Sequence, residues 1–314
     1  MLGLEHFGKR DSSILVSFPS TEHDSGGIMP HISVNGVNIE YWESGEGFPL
    51  IWAHEFAGSS ESWLQQVHYF SRRYRVITYN ARGYPPSDVP GEVSAYSQDQ
   101  AVEDLFQLIH GLGITRAHIG GLSMGGSTAL VFGLRHPELA ASLIIAGAGT
   151  GATDPVSFSE QANAYADILE KNGMRGLESY VDGPTRTTLK RKDPVAWREF
   201  ADLFFAHSGL GSAMTFRGVQ ASRPPIFTFA KEMEALKVPT LIIVGDEDDP
   251  CIEPALFMKR QIPSSGLVVL PQSGHGVNLE EPELFNKVVS DFLIAVEAGK
   301  WAKRDWSGGG FSLK

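Results

Sequence analysis

Ser123 stands in Gly121-Leu122-Ser123-Met124-Gly125, after the apolar run Ala117-His118-Ile119-Gly120 and before a helix-like segment, Gly126 to His136. Strand, sharp turn and helix are the context in which G-x-S-x-G forms a nucleophile elbow, because flanking glycines let the backbone bend tightly and the hydroxyl project outward. With 34 Gly among 314 residues, a bare copy of so short a string arises easily by chance. The partners it would need therefore carry the argument. A serine hydroxyl is a poor nucleophile at neutral pH and requires an adjacent base, itself oriented by a third group. Two later loops offer them: Gly245-Asp246-Glu247-Asp248-Asp249 follows the apolar run Thr240 to Val244, and Ser273-Gly274-His275-Gly276 follows Leu267 to Leu270. Of ten histidines, only His275 sits in a Gly-flanked loop just past a late strand-like run. Asp246, Asp248 and Asp249 share one loop, where at least two should be solvated or cap the helix near Glu253. The bland readings, a turn serine before a helix and a surface or core histidine, weaken once this placement is counted.

Acyl chemistry also needs backbone N–H groups aimed at the oxyanion of a tetrahedral intermediate. Met124, beside the serine at a helix start, offers one; the loop His54-Glu55-Phe56-Ala57-Gly58 should offer the other. His54-Glu55 also begins a zinc-protease string, but position 58 is Gly where a second His is required. No other His, Cys or acidic cluster has ligand spacing, so neither a metal nor a cofactor is expected.

These residues must be positioned by the elements around them. His31–Val34 and Val37–Trp42 alternate around Asn35-Gly36, a type I′ hairpin pattern. Pro49–Ala53 reads as a strand buried on both faces, Ser62–Phe70 as a helix and Tyr74–Tyr79 as a strand. Asp99–Leu112 has apolar residues at helical spacing, and a strand is expected over Ser142–Ala148. The alternation of strands and helices implies a mostly parallel sheet with helices on both faces, an α/β fold. It breaks at Gly149-Thr150-Gly151, and from Asp154 to about Leu236 the chain is helical and aromatic. It resumes with strands at Val238–Gly245 and Leu267–Leu270, a helix near Glu253–Arg260 and a last helix over Pro282–Glu297. The organisation expected is a poorly ordered extension (1–29), a core (30–150 and 237–299), an inserted helical cap (151–236) and a tail (300–314). Ligands of open α/β sheets bind beyond the carboxyl ends of the strands, where both candidate loops lie.

Net charge of −11 leaves no electrostatic footprint for nucleic acid and suits a soluble cytoplasmic protein. The single cysteine, Cys251, rules out an internal disulfide. No apolar run approaches the roughly 18–20 residues of a spanning helix, so no membrane partner is expected. Oligomeric state is not encoded in any pattern found.

In four motifs the sequence resembles the α/β-hydrolase superfamily: His54-x-Phe56-x-Gly58-Ser59, Arg82-Gly83-Tyr84-x-x-Ser87-Asp88, Gly121-x-Ser123-x-Gly125, and Gly245-x-x-Asp248 with Gly274-His275. The chain order Ser, acid, His is that superfamily's. The resemblance implies Ser123 as nucleophile, His275 as general base and then acid, Asp248 as orienting acid, and Phe56 and Met124 as oxyanion-hole donors. It implies hydrolysis of a carboxylic ester or lactone of a small to medium substrate through an acyl-enzyme. The alternatives are a C–C bond hydrolase of ring-fission products with the same triad, or a slow-turnover ligand receptor. Serine at the elbow argues against epoxide hydrolases and haloalkane dehalogenases, which use an aspartate nucleophile. Two departures stand out. Glu55 replaces the usual glycine and is read first as a structural partner of the Arg82 loop, second as a charged group bordering the substrate. Asn80 replaces a frequent aspartate. Cap aromatics should either line an apolar pocket or form the cap's own core, and Arg217 and Arg223 are candidates to meet a substrate carboxylate.

Overall fold

Asn35 and Gly36 both take positive φ, 45° and 79°, as a type I′ turn requires, and join strand β1 (His31–Val34) to β2 (Val37–Ser44). The protein is described here from a computed structural model over residues 30–303. The strands that follow are β3 (Phe48–Ala53), β4 (Tyr74–Tyr79), β5 (Ala117–Leu122), β6 (Ala140–Ala146), β7 (Thr240–Gly245) and β8 (Ser265–Leu270). One sheet results, in the order β1-β2-β4-β3-β5-β6-β7-β8. The β1–β2 and β2–β4 pairs are antiparallel and the others parallel.

Between the strands run α1 (Leu64–Phe70), α2 (Gln98–Gly111) and α3 (Met124–Arg135). Six α-helices lie between β6 and β7: α4 (Pro155–Asn172), α5 (Glu178–Val181), α6 (Pro184–Lys192), α7 (Pro194–Ala206), α8 (Gly209–Thr215) and α9 (Ala230–Ala235). The chain closes with α10 (Asp249–Gln261), α11 (Val277–Glu280) and α12 (Pro282–Glu297).

The parallel strands are apolar without alternation because both faces are covered. Ile51, Ile77, Ile119 and Ile145 pack with Leu105 of α2, Leu130 of α3 and Met258 of α10. Their neighbours Leu50, Trp52, Val76 and Ile144 face the other way, against Phe70 of α1 and Phe285 and Val289 of α12. A third cluster joins Phe56 and Tyr84, from loops after strand ends, and Met124, at the start of α3, to Ala162, Leu177, Phe204 and Phe216 of the helical insertion.

Two boundaries around the elbow differ from the sequence expectation. The helix after the elbow starts at Met124 rather than Gly126, because Ser123 turns the chain straight from strand into helix. The strand expected over Ser142–Ala148 ends at Ala146, where Gly147 (φ 51°) takes the chain out of the sheet. The expected extension over 1–29 and residues 304–314 of the expected tail lie outside the described residues. Within the tail, Trp301 docks: its indole donates to Ser264 O (2.8 Å) and its ring meets Phe292 edge-on. Among the described residues, no helix is long and apolar enough to cross a membrane.

Helix α3 reaches the sheet only because Gly125 has no side chain: a Cβ there would sit 2.1 Å from Ala53 O. Backbone cannot yield as a flexible side chain can. Gly125→Ala should therefore destabilise the fold by roughly 3 kcal/mol or more in urea unfolding, whereas Gly91→Ala, with nothing within 4 Å, should stay within about 0.5 kcal/mol. Equal stability of the two variants would contradict this packing.

Candidate active site

Ser123 leaves β5 with φ 55° and ψ −111°, a backbone state that costs a non-glycine residue energy. Its surroundings hold it there: its amide donates to Ala146 O (2.8 Å), and Ser127 N donates to its carbonyl (2.9 Å). Unlike its buried neighbours Leu122 and Met124, Ser123 is partly exposed, and its side chain lines a cavity of about 260 Å³.

His275 lines the same cavity. Its Nδ1 lies 2.8 Å from Oδ2 of Asp248, whose side chain has no exposed surface. A carboxylate only accepts, so Nδ1 carries the proton and donates, which leaves Nε2 as the basic nitrogen. The loops can meet because β7 ends in glycine: a Cβ on Gly245 would lie 2.1 Å from Ser273 O. Of the three aspartates left open by spacing, Asp248 is buried, while Asp246 and Asp249 are exposed. Asp246 instead accepts the Ser273 amide (3.1 Å). Among the described residues, no hydrogen bond joins Ser123 Oγ to His275; what the two share is the cavity wall.

Glu280 of α11, unforeseen in the sequence, holds the histidine loop by accepting the amides of Gly274 (2.7 Å) and Gly276 (3.1 Å), one on each side of His275. Burial raises its carboxyl pKa and the two amides draw it back. The only hint was local, an acid four residues past Gly276.

The expected oxyanion loop forms a turn closed by Gly58 N donating to Glu55 O (3.0 Å). The Phe56 amide inside it has no acceptor among the described residues. Met124 is the first residue of α3, so its amide has no acceptor within the helix. His54 ties this loop to the next: Ala81 N donates to Nε2 (2.9 Å), so Nδ1 carries the proton and donates to Glu55 O (2.7 Å). Burial drops the His54 pKa to about 4.

The favoured reading of Glu55 needs correction. Arg82 pairs not with Glu55 but with both oxygens of Asp104, at 2.9 Å each, a carboxylate that α2 buries among its apolar residues. Glu55 itself is buried and absent from the cavity wall; burial raises its pKa, opposed by Arg186 of α6 and by His275. The two candidate arginines part company. Arg217 is fastened to Asp167 and Glu170 of α4 and does not line the cavity, whereas Arg223 does. Asn80 also finds a reason: it accepts from Ser60 N (2.8 Å) and donates to the buried carboxylate of Glu40 (2.6 Å). An aspartate there would set two buried carboxylates side by side.

The insertion's aromatics divide between the two expected roles. Phe200 and Phe204 pack within it, while Phe158, Tyr165, Tyr180 and Phe216 line the cavity. Phe227 instead meets Phe257 of α10. Cys251, unassigned in the sequence, comes to rest beside the acid and the base, with donor atoms of Asp248, Cys251 and His275 all within 4.8 Å. Burial and Asp248 push its thiol pKa well up, so the thiol stays protonated and is a poor metal ligand.

A family model described as alpha/beta hydrolase fold matches residues 49–282. A 3-oxoadipate enol-lactonase of Acinetobacter baylyi is 26% identical over 79% of this chain and 89% of its own length. The 2-hydroxymuconate semialdehyde hydrolase of Pseudomonas putida is 28% identical over 86% and 96%. Among solved structures, a thermophilic esterase from Thermogutta terrifontis superposes with a TM-score of 0.78 at 25% identity, covering 86% of this chain and 99% of the esterase.

The tie through His54 makes a pH prediction. Its folded pKa of about 4 lies below the unfolded value of about 6.5, so its stabilising contribution is complete above the latter and lost as pH falls toward the former. Urea unfolding of wild type and His54→Gln should show wild type's advantage shrinking by on the order of 3 kcal/mol across that window; a pH-independent difference would contradict a buried neutral ring.

Proposed function

The chain belongs to the α/β-hydrolase fold family, and from that premise we propose that it hydrolyses a carboxylic ester or lactone of a compact substrate through an acyl-enzyme on Ser123. The observation that carries this reading is the 2.8 Å hydrogen bond that His275 donates to a fully buried Asp248, with the His275 ring sharing a cavity wall with Ser123. In the proposed reaction Nε2 of His275 takes the Ser123 proton as Oγ attacks the carbonyl, then returns it to the leaving group. Asp248 stabilises the imidazolium formed between those steps. The amides of Phe56 and Met124 receive the oxyanion; losing one such donor costs on the order of 10²–10³ in rate. Water, activated by the same imidazole, then releases the acid and frees Ser123. A cavity of about 260 Å³ suits a small acyl group better than a polymer.

Cleavage of a C–C bond next to a carbonyl is the second reading. It would use the same three side chains, and the similarity to the semialdehyde hydrolase favours it. Turnover of a dienoate ring-fission product well above that of simple esters would select it.

Ser123→Ala should lower kcat for p-nitrophenyl esters by at least about 10³-fold and abolish fluorophosphonate labelling, with the melting temperature unchanged. A variant that keeps most of its ester turnover would remove Ser123 from the reaction.

A further inference from the structure

Resting on the reading of this cavity as an acyl-transfer site, we infer that Arg223 forms an anion subsite within it and that the substrate carries a carboxylate as well as the carbonyl that reacts. Arg223 follows a π turn, Phe216–Gln220, whose two end residues also line the cavity. Nη2 of Arg223 donates to Thr150 O (2.8 Å), and the guanidinium carbon lies 5.4 Å from the centre of the Phe158 ring. Among the described residues, no carboxylate pairs with it. The contrast with its surroundings is chemical. Six positions earlier Arg217 has two acids, and on α6 Lys190, Arg191 and Lys192 each have one.

A guanidinium brings five donors in a planar fork, and one protein carbonyl occupies only part of it. Burial lowers the Arg223 pKa to about 10, which leaves it charged at neutral pH. The ionisable groups that act on it, Cys251 and Tyr180, have pKa values pushed up by burial and are neutral there. A cation partly withdrawn from water without a counter-charge carries a desolvation cost, and a substrate anion would offset it. The side-chain amides of Gln161 and Gln220 share the cavity wall and have no hydrogen-bond partner among the described residues, which provides neutral donors for the second carboxylate oxygen. Phe56, Phe158, Ala162 and Phe216 add apolar wall, beside the hydroxyl-bearing Tyr165, Ser179 and Tyr180. The substrate class this fits is a short acyl ester or lactone with a terminal carboxylate.

The test compares kcat/KM for mono-p-nitrophenyl glutarate, an anion, with p-nitrophenyl valerate, a neutral ester of equal acyl length. Wild type should prefer the anion, and Arg223→Met should cut the anion-to-neutral ratio by roughly 10–100-fold, as loss of a hydrogen bond to a charged group does. Arg223→Lys should keep part of the preference. A strut that merely ties the insertion to Thr150 would lower both substrates together and leave the ratio unchanged, which overturns the subsite. Wild type alone supplies a second reading: free glutarate should inhibit valerate turnover better than glutaramide, and equal inhibition overturns the proposal even if the variants fail to fold. Ester turnover in wild type that is lost in Ser123→Ala keeps the hydrolase reading alive in either case.

Discussion

A carboxylate with no exposed surface holds one nitrogen of His275, and the site is arranged around that contact. Burial strengthens the bond by excluding competing water, but it also raises the cost of the carboxylate's charge unless the partner is held in place. The structure meets the requirement with backbone. Gly245 lets the histidine loop close over the end of β7, Glu280 grips an amide on each side of His275, and Asp246 takes a third from Ser273. The imidazole is thus oriented by groups that do not themselves face the cavity.

The serine is held by similar means at the carboxyl end of β5. Its left-handed backbone is pinned to Ala146, and α3 lies against β3 through a glycine contact. The oxyanion loop is tied by the neutral ring of His54 to the segment after β4, and that segment is anchored by Arg82 on Asp104. The proposed nucleophile with its neighbour Met124, the base, and the second donor Phe56 therefore follow three different strands whose relative positions derive from the parallel part of one sheet. The helical insertion completes the cavity with aromatic rings and Arg223.

Much of this was legible in the residues. Continuous apolar runs marked the parallel strands, and each pointed to a loop at its carboxyl end, which located Ser123, the acidic loop and His275. The choice of Asp248 among three aspartates rested on resemblance, and burial now sets it apart from the others. What stayed hidden were contacts that leave no periodic trace. Glu280 acts on backbone amides, which no side-chain pattern reports. Cys251 meets Gly147 O across 104 positions, a distance that only the fold bridges. Glu55 reads as a partner of the Arg82 loop because loops around sites commonly hold ion pairs, but Asp104, an acid amid the apolar residues of α2, takes Arg82. Arg217 and Arg223 looked alike in sequence; Arg217 lies within the π turn and is paired with α4, whereas Arg223 lies in the bend after it and lines the cavity.

The central claim is that the buried Asp248–His275 pair makes Ser123 reactive, and the rate of Ser123 labelling by a fluorophosphonate probe measures that directly. Asp248→Asn should slow labelling by about 10³–10⁴-fold, while Asp249→Asn, on the same loop but exposed, labels at close to the wild-type rate. Labelling of Asp248→Asn at the rate of wild type would contradict the account.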